Sequence, residues 1–230
     1  MNLLECKNLC KKYDKRYVIN SINLEIPKGK IIGLFGKNGA GKSTLFKLIN
    51  SLVVPTSGEI LFNGKKLGVE SKKEIAYLPD RSYLTDTQKV DDILEYFNDF
   101  YDNFNIKKAR KLIKELKINP LSTISKMSKG KEEIFRLILV LSRDASLYIL
   151  DEPLEGVDAP TKDYIIKTIL SNYKEDSTFV ISTHLISDIE KILDEVIFLD
   201  EGKIVLNTSC DLLRKKENKS IDEIFRGMFK

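Results

Sequence analysis

The residues Gly36-Lys37-Asn38-Gly39-Ala40-Gly41-Lys42-Ser43-Thr44 fit the spacing G-x-x-x-x-G-K-[ST]. Three glycines let the backbone wind tightly and turn successive N–H groups inward as an anion nest. An apolar strand, Ile31-Ile32-Gly33-Leu34-Phe35, is expected to lead in, and a helix over 42–51 to lead out. The helix adds its positive dipole end and its unpaired N–H donors. Lys42 can then reach the β- and γ-phosphates of a nucleoside triphosphate, and the Ser43 hydroxyl can ligate Mg²⁺.

Such a loop needs a second magnesium anchor, and Ser146-Leu147-Tyr148-Ile149-Leu150-Asp151-Glu152 supplies one. The apolar run suits a strand buried on both faces. Asp151 is expected at its carboxyl end, where open α/β sheets bind ligands. The two acids divide the work: Asp151 holds the metal, while Glu152 orients or deprotonates the attacking water.

These groups need elements to hold them. Residues 1–35 read as short β-rich runs, Leu3–Leu9, Tyr17–Ile26 and Ile31–Phe35, with a turn at Pro27-Lys28-Gly29. Further strands are expected at Glu59–Phe62 and Glu74–Leu78. From about Val90 to Ser142 the apolar spacing turns helical, with Val90, Ile93, Leu94 and Phe97 on one face. Strand and helix then alternate: Leu147–Leu150, Thr161–Asn172, Thr178–Ser182, Leu185–Leu193 and Glu195–Leu199. That order implies a parallel sheet with helices on its faces, interrupted by an inserted helical subdomain at about 83–143. The fold class expected is α/β, an N-terminal antiparallel β region joined to a P-loop core. One domain spans 1–230, with a short tail at about 207–230.

Composition narrows the field. Of 230 residues, 42% are hydrophobic and 31% charged, as in a soluble globular chain. The longest apolar runs fall far short of the ~20 residues of a membrane span. Met1–Lys7 lacks the apolar stretch of a signal peptide. With 38 Lys and Arg against 34 Asp and Glu, the net charge of +4 lacks the strongly basic footprint of a nucleic-acid binder. Cys6, Cys10 and Cys210 form no CxxC pair and no metal-ligand spacing with the single histidine. They read as reduced cytosolic thiols, with a Cys6–Cys10 redox pair as the alternative.

Taken together, the motifs resemble the ATP-binding subunits of ABC transporters over nearly the whole chain, because further segments fall in that family's order. Tyr13, in Lys11-Lys12-Tyr13-Asp14, is similar to the aromatic residue that stacks on adenine. Met127-Ser128-Lys129-Gly130-Lys131 stands where the signature Leu-Ser-Gly-Gly-Gln is expected, and Ser128 can cap the helix that follows. Ser128 and Gly130 are thereby implied to face the γ-phosphate held by a partner cassette. Leu154-Glu155-Gly156-Val157-Asp158 resembles the family's D-loop. His184, in Ser182-Thr183-His184, resembles the switch histidine that contacts the γ-phosphate and holds Glu152 in line. Tyr77-Leu78-Pro79-Asp80 places Asp80 where the family commonly has glutamine, next to the metal. Lys129 and Lys131 replace a signature glycine and glutamine.

The resemblance implies an ATPase in which Lys42, Glu152 and His184 are catalytic and Ser43, Asp151 and Asp80 serve the metal. It implies ATP and Mg²⁺ as cofactors. The implied partners are a second cassette, as homodimer or paralogue, and a separate integral membrane permease, with no nucleic acid. The implied location is cytoplasmic, peripheral on the inner face of the cell membrane. The Met-Ser-Lys-Gly and Tyr-Leu-Pro-Asp segments and the end Ile221–Phe225 resemble exporters of peptides, antibiotics or lipids. The alternative is a soluble ABC-type ATPase acting on ribosomes or DNA. Ribosome-acting members resemble two fused cassettes, whereas this chain has one phosphate loop; Ser43 to Asp151 leaves no room for a chromosomal coiled coil. A GTPase is disfavoured because Asn218-Lys219-Ser220-Ile221 fails the Asn-Lys-x-Asp pattern.

Overall fold

A computed structural model describes residues 2–229. The chain opens with a long hairpin, β1 (Asn2–Tyr13) and β2 (Arg16–Pro27), followed by β3 (Ile31–Phe35) and α1 (Lys42–Ile49). Next come β4 (Ser57–Phe62), the short β5 (Lys65–Lys66), α2 (Val69–Glu74) and β6 (Ile75–Leu78). Three helices intervene: α3 (Val90–Phe100), α4 (Ile106–Glu115) and α5 (Lys129–Leu141). The chain then runs β7 (Leu147–Asp151), α6 (Ala159–Asn172), β8 (Thr178–Ser182), α7 (Ile186–Ile189), β9 (Glu195–Asp200) and β10 (Lys203–Ser209). It closes with α8 (Cys210–Glu217) and α9 (Ile221–Met228).

Two sheets result. The smaller is antiparallel, ordered β2-β1-β4-β5. The larger is ordered β10-β9-β3-β8-β7-β6, parallel except for its edge strand β10. Its inner strands β3, β7 and β8 are buried at every position, which explains the apolar runs at their centres. Alternate side chains feed two cores. Ile32, Leu34, Ile149 and Val180 join Phe46 of α1 and Leu4, Leu9 and Ile22 of the antiparallel sheet. Ile31, Phe35, Tyr148 and Phe179 face the core that holds α3 to α6.

The helices between β6 and β7 share that second core. Ile134 to Leu141 of α5 are all buried, at roughly 1.5–3 kcal/mol for each fully buried aliphatic side chain. The other end of α5, at Ser128 and Lys129, is exposed. The helix is thus anchored by its carboxyl half and presents its amino end outward.

Several elements differ from expectation. The helix expected over Leu185–Leu193 stops at Ile189, because Asp194 must enter the sheet, its N–H donating to Ile31 O and its carboxylate accepting from Ile31 N. The helix expected over 42–51 stops at Ile49, with Asn50 N donating back to Phe46 O. Strands β5 and β10 and helices α2 and α8 were not foreseen. Within the segment read as a tail, α9 packs Phe225 and the following Phe229 on Phe198, and Phe225 also meets Phe35, just ahead of the glycine-rich loop.

Candidate active site

The carboxyl ends of three adjacent strands meet at one cleft. Strand β3 delivers Gly36 to Gly41, β7 delivers Asp151 and Glu152, and β8, lying between them, delivers Ser182 and His184. The cleft encloses about 520 Å³ and is lined by Val18, Asn38, Gly39, Ala40, Gly41, Lys42, Ser43, Thr44, Asp80, Asp151, Glu152, Glu155 and His184.

Gly41 begins α1 in the left-handed region, at φ +111°, and a Cβ there would meet Val18 O at 2.7 Å. Only glycine fits, and this turn aims the first N–H groups of α1 at the cleft. The loop is also propped from outside. Asp200 and Lys203 pair across the two-residue turn Glu201-Gly202, both central residues having positive φ, as tight hairpins require. Gly202 N donates to Ala40 O at 3.0 Å, and Gly202 O accepts from Asn20 N at 2.9 Å. A Cβ on Gly202 would meet Val18 O at 2.4 Å.

Lys42 is 8% exposed, and its Nζ donates to Gly36 O at 2.7 Å and Lys37 O at 3.4 Å. Burial pushes its ammonium down from the usual lysine range, with Glu152 and Asp151 acting the other way. Ser182 Oγ donates to Asp151 at 2.6 Å, while the Glu152 N–H reaches both Ser182 O and Ser182 Oγ at 3.1 Å. Glu152 is itself left-handed, at φ +52°. That sharp turn swings its carboxylate to His184, which donates its N–H at 3.2 Å and sets Nδ1 at 3.0 Å from the same oxygen. Backbone strain of this kind persists where neighbours over-determine the geometry.

Asp151 is 2% exposed, and burial holds its carboxyl above the ordinary aspartate value, against hydrogen bonds from Ser182 and Ser43. The folded chain therefore binds this proton more readily than the unfolded chain. The stability cost of the charge is absent below the ordinary value and grows as pH rises through the raised one. Asp151→Asn should accordingly raise the melting temperature near neutral pH, with the gain vanishing towards ~3.9, the unperturbed aspartate value. It should also abolish turnover. A lower melting temperature at neutral pH would mean that the hydrogen bonds outweigh the burial cost.

The fit to Mg²⁺ can be judged from the donors. Asp80, Asp151, Glu152 and Glu155 face the cleft against the single buried ammonium of Lys42, so a polyphosphate needs a further cation to enter. A carboxylate beside a hydroxyl, Asp151 with Ser43, is the hard oxygen set that Mg²⁺ takes. Among the described residues no group of three or more His, Cys, Asp or Glu side chains forms a metal cage.

Other expected residues lie elsewhere. Gly36 and Lys37 begin the loop and are not among the lining residues, their carbonyls accepting from Lys42 Nζ. Tyr13, 43% exposed at the end of β1, does not line the cleft, and Lys11 Nζ lies 5.0 Å from its ring centre. Ser128 caps α5, accepting from Lys131 N at 3.4 Å, and neither it nor Gly130 lines this cleft. Lys129 folds back over Gly156. Asp158 caps α6, accepting from Thr161 N at 2.9 Å. The sequence reading missed Ser182 and Val18. A small polar residue ending an apolar run two positions before the single histidine was the available signal for Ser182.

Fold and site together define a nucleotide-hydrolysing P-loop cassette with an antiparallel sheet against its phosphate loop and helices inserted between β6 and β7. A family profile described as ABC transporter matches residues 19–155. The lantibiotic transport ATP-binding protein SrtF of Streptococcus pyogenes is 32% identical, over 98% of this chain and 96% of its own. The bacitracin transport ATP-binding protein BcrA of Enterococcus faecalis is 30% identical, over 94% of this chain and 72% of its own. A solved structure, the ATP-binding subunit of an ABC transporter, superposes with a TM-score of 0.89 at 26% identity, covering 99% of this chain and all of that one. The chain belongs to the ABC transporter family. It is an ATP-binding subunit and an ATPase whose hydrolysis powers transport; the ribosome or DNA reading finds no support among these relatives.

Proposed function

We propose that this chain hydrolyses Mg·ATP at the β3–β7–β8 strand ends, pairs with a second cassette, and drives export of a peptide or antibiotic through a separate membrane subunit. One observation carries the catalytic part: Lys42, Asp151, Glu152 and His184 converge on a single cleft from three neighbouring strands. Lys42 exchanges its two carbonyl contacts for β- and γ-phosphate oxygens, replacing neutral acceptors by charged ones. Ser43 and Asp151, with Asp80 nearby, hold Mg²⁺. When bound, that ion neutralises charge on the phosphate oxygens. Glu152 takes the proton of the attacking water, and His184 keeps its carboxylate aimed.

Ser128 and Gly130 are exposed or half-buried at the outer end of α5, so their phosphate contact is made in trans, in the cleft of a second cassette. Tyr13 closes on the adenine ring once nucleotide is present. A groove of about 580 Å³ lined by Tyr77, Pro79, Tyr83, Phe97, Phe100 and Arg143 receives the cytoplasmic helix of the membrane subunit, with Tyr96 and Phe100 exposed at its rim. No helix among the described residues is long and apolar enough to cross a membrane. The site we propose for the chain is the cytoplasmic face of a separate permease. The transport names of SrtF and BcrA support a peptide or antibiotic cargo.

The trans contact makes a direct prediction. Light scattering of the Glu152→Gln chain should show a monomer without nucleotide and a dimer with Mg·ATP. A stable dimer in both conditions would overturn the trans reading, and so would a monomer in both unless the second cassette is a paralogue.

A further inference from the structure

Arg136 is among the most enclosed side chains in the molecule, 1% exposed on α5, yet it lies outside the ATP cleft. Its Nη1 donates to both carboxylate oxygens of Glu133, at 2.8 and 2.9 Å. Its Nη2 donates to Pro79 O, and both terminal nitrogens lie 3.4 Å from Asp80 O. The guanidinium also covers the ring of Tyr83, 5.9 Å from its centre. Only Nε is left without a partner.

A buried guanidinium pays a large desolvation cost, and apolar packing of equal volume is often at least as stable. Its value therefore lies in what it fixes. The fork gathers two successive carbonyls of the turn that carries Asp80 and ties them to α5, a geometry that lysine's single ammonium cannot reproduce. Asp80 faces the cleft of its own chain, while Ser128, two helical turns before Arg136, faces outward.

We propose that Arg136 is a positioning residue that locks the Asp80 turn to α5, so that Asp80 and the amino end of α5 move as one piece. This rests on the reading of Asp80 as a neighbour of the metal in the ATP cleft. The linkage gives each chain a rigid connection between the nucleotide it binds and the one its signature segment touches.

The test is a double-mutant cycle in the full chain: Arg136→Met, Asp80→Ala and the pair, with Arg136→Lys alongside. Phosphate release, the half-saturating Mg²⁺ concentration and melting temperature are measured for each. Arg136→Met should lower turnover by roughly tenfold to a hundredfold, the cost of misplacing a group near the chemistry. In the Asp80→Ala background its further effect should stay within about twofold, since the group it positions is gone. Arg136→Lys should recover part of the loss. A readout apart from activity is amide exchange in the nucleotide-free chain, which should quicken at residues 80–83 in Arg136→Met. Independent, multiplying effects of the two substitutions, or unchanged exchange at 80–83, would overturn the proposal. If Arg136→Met does not fold, Arg136→Lys carries the same cycle. Glu152→Gln in the same assay keeps a failure of the hydrolytic site distinct from a failure of this joint.

Discussion

Glu152→Gln should cut ATP turnover by roughly a hundredfold or more, the range that general bases contribute, while ATP affinity stays close to that of the unaltered chain. The glutamine side chain matches glutamate in size and can keep one acceptor towards the His184 N–H, which the carboxylate now receives at 3.2 Å. It cannot take a proton. The backbone at this position is held by Ser182 through two contacts that do not involve the side chain, so the turn at φ +52° should survive. Phosphate release and fluorescent-nucleotide binding on the same preparation separate the two effects. Unchanged turnover would remove Glu152 as the base and leave His184 as the group to examine.

Lys42→Met should weaken ATP binding by roughly ten- to a hundredfold, the equivalent of losing one charge-assisted hydrogen bond of about 1.5–3 kcal/mol. The substitution leaves Asp80, Asp151, Glu152 and Glu155 facing the cleft with no lysine among its lining residues to oppose them, which repels a triphosphate further. The fold itself should tolerate the change. Lys42 carries a desolvated ammonium whose charged form burial disfavours, and methionine fills similar space without it. Calorimetric titration with Mg·ATP and a melting curve check both halves of the expectation. Equal affinity would show that the loop amides alone hold the phosphates.

The glycine-rich loop and the Asp151-Glu152 pair were legible because each is one short segment whose chemistry lies in contiguous residues. The buried strands were legible too, since β3, β7 and β8 each carry an unbroken apolar run of three to five residues. The boundaries of β3 and β8 agree with the expected Ile31–Phe35 and Thr178–Ser182, while β7 runs one residue past the expected Leu150. What escaped was long-range. Arg136 meets the Asp80 turn across 56 residues of sequence, and nothing in its own neighbourhood marks it as more than a helix residue. The pairing of Ser182 with Asp151 depends on sheet register, which no local pattern states. Strand β10 has no fully buried position: half-buried Ile204 and Leu206 alternate with exposed Lys203, Val205 and Asn207, too short an apolar pattern to mark a strand. Asp158, at the end of the segment that resembles a D-loop, caps a helix within this chain, a role its spacing to Thr161 allows.

The Glu201-Gly202 tip reaches both the phosphate loop, through Ala40, and the antiparallel sheet, through Asn20. Hairpin tips are ordinarily the places where a chain accepts an affinity tag, a reporter domain or a circular permutation, because little depends on them. Here the tip serves as a strut. An insertion between Glu201 and Gly202 would prise the loop away from its support although it lies far from any catalytic side chain in sequence. Protein engineers wishing to label this cassette would do better to choose the exposed segment around Leu121, between α4 and α5, where the backbone carries no part of the nucleotide's cradle.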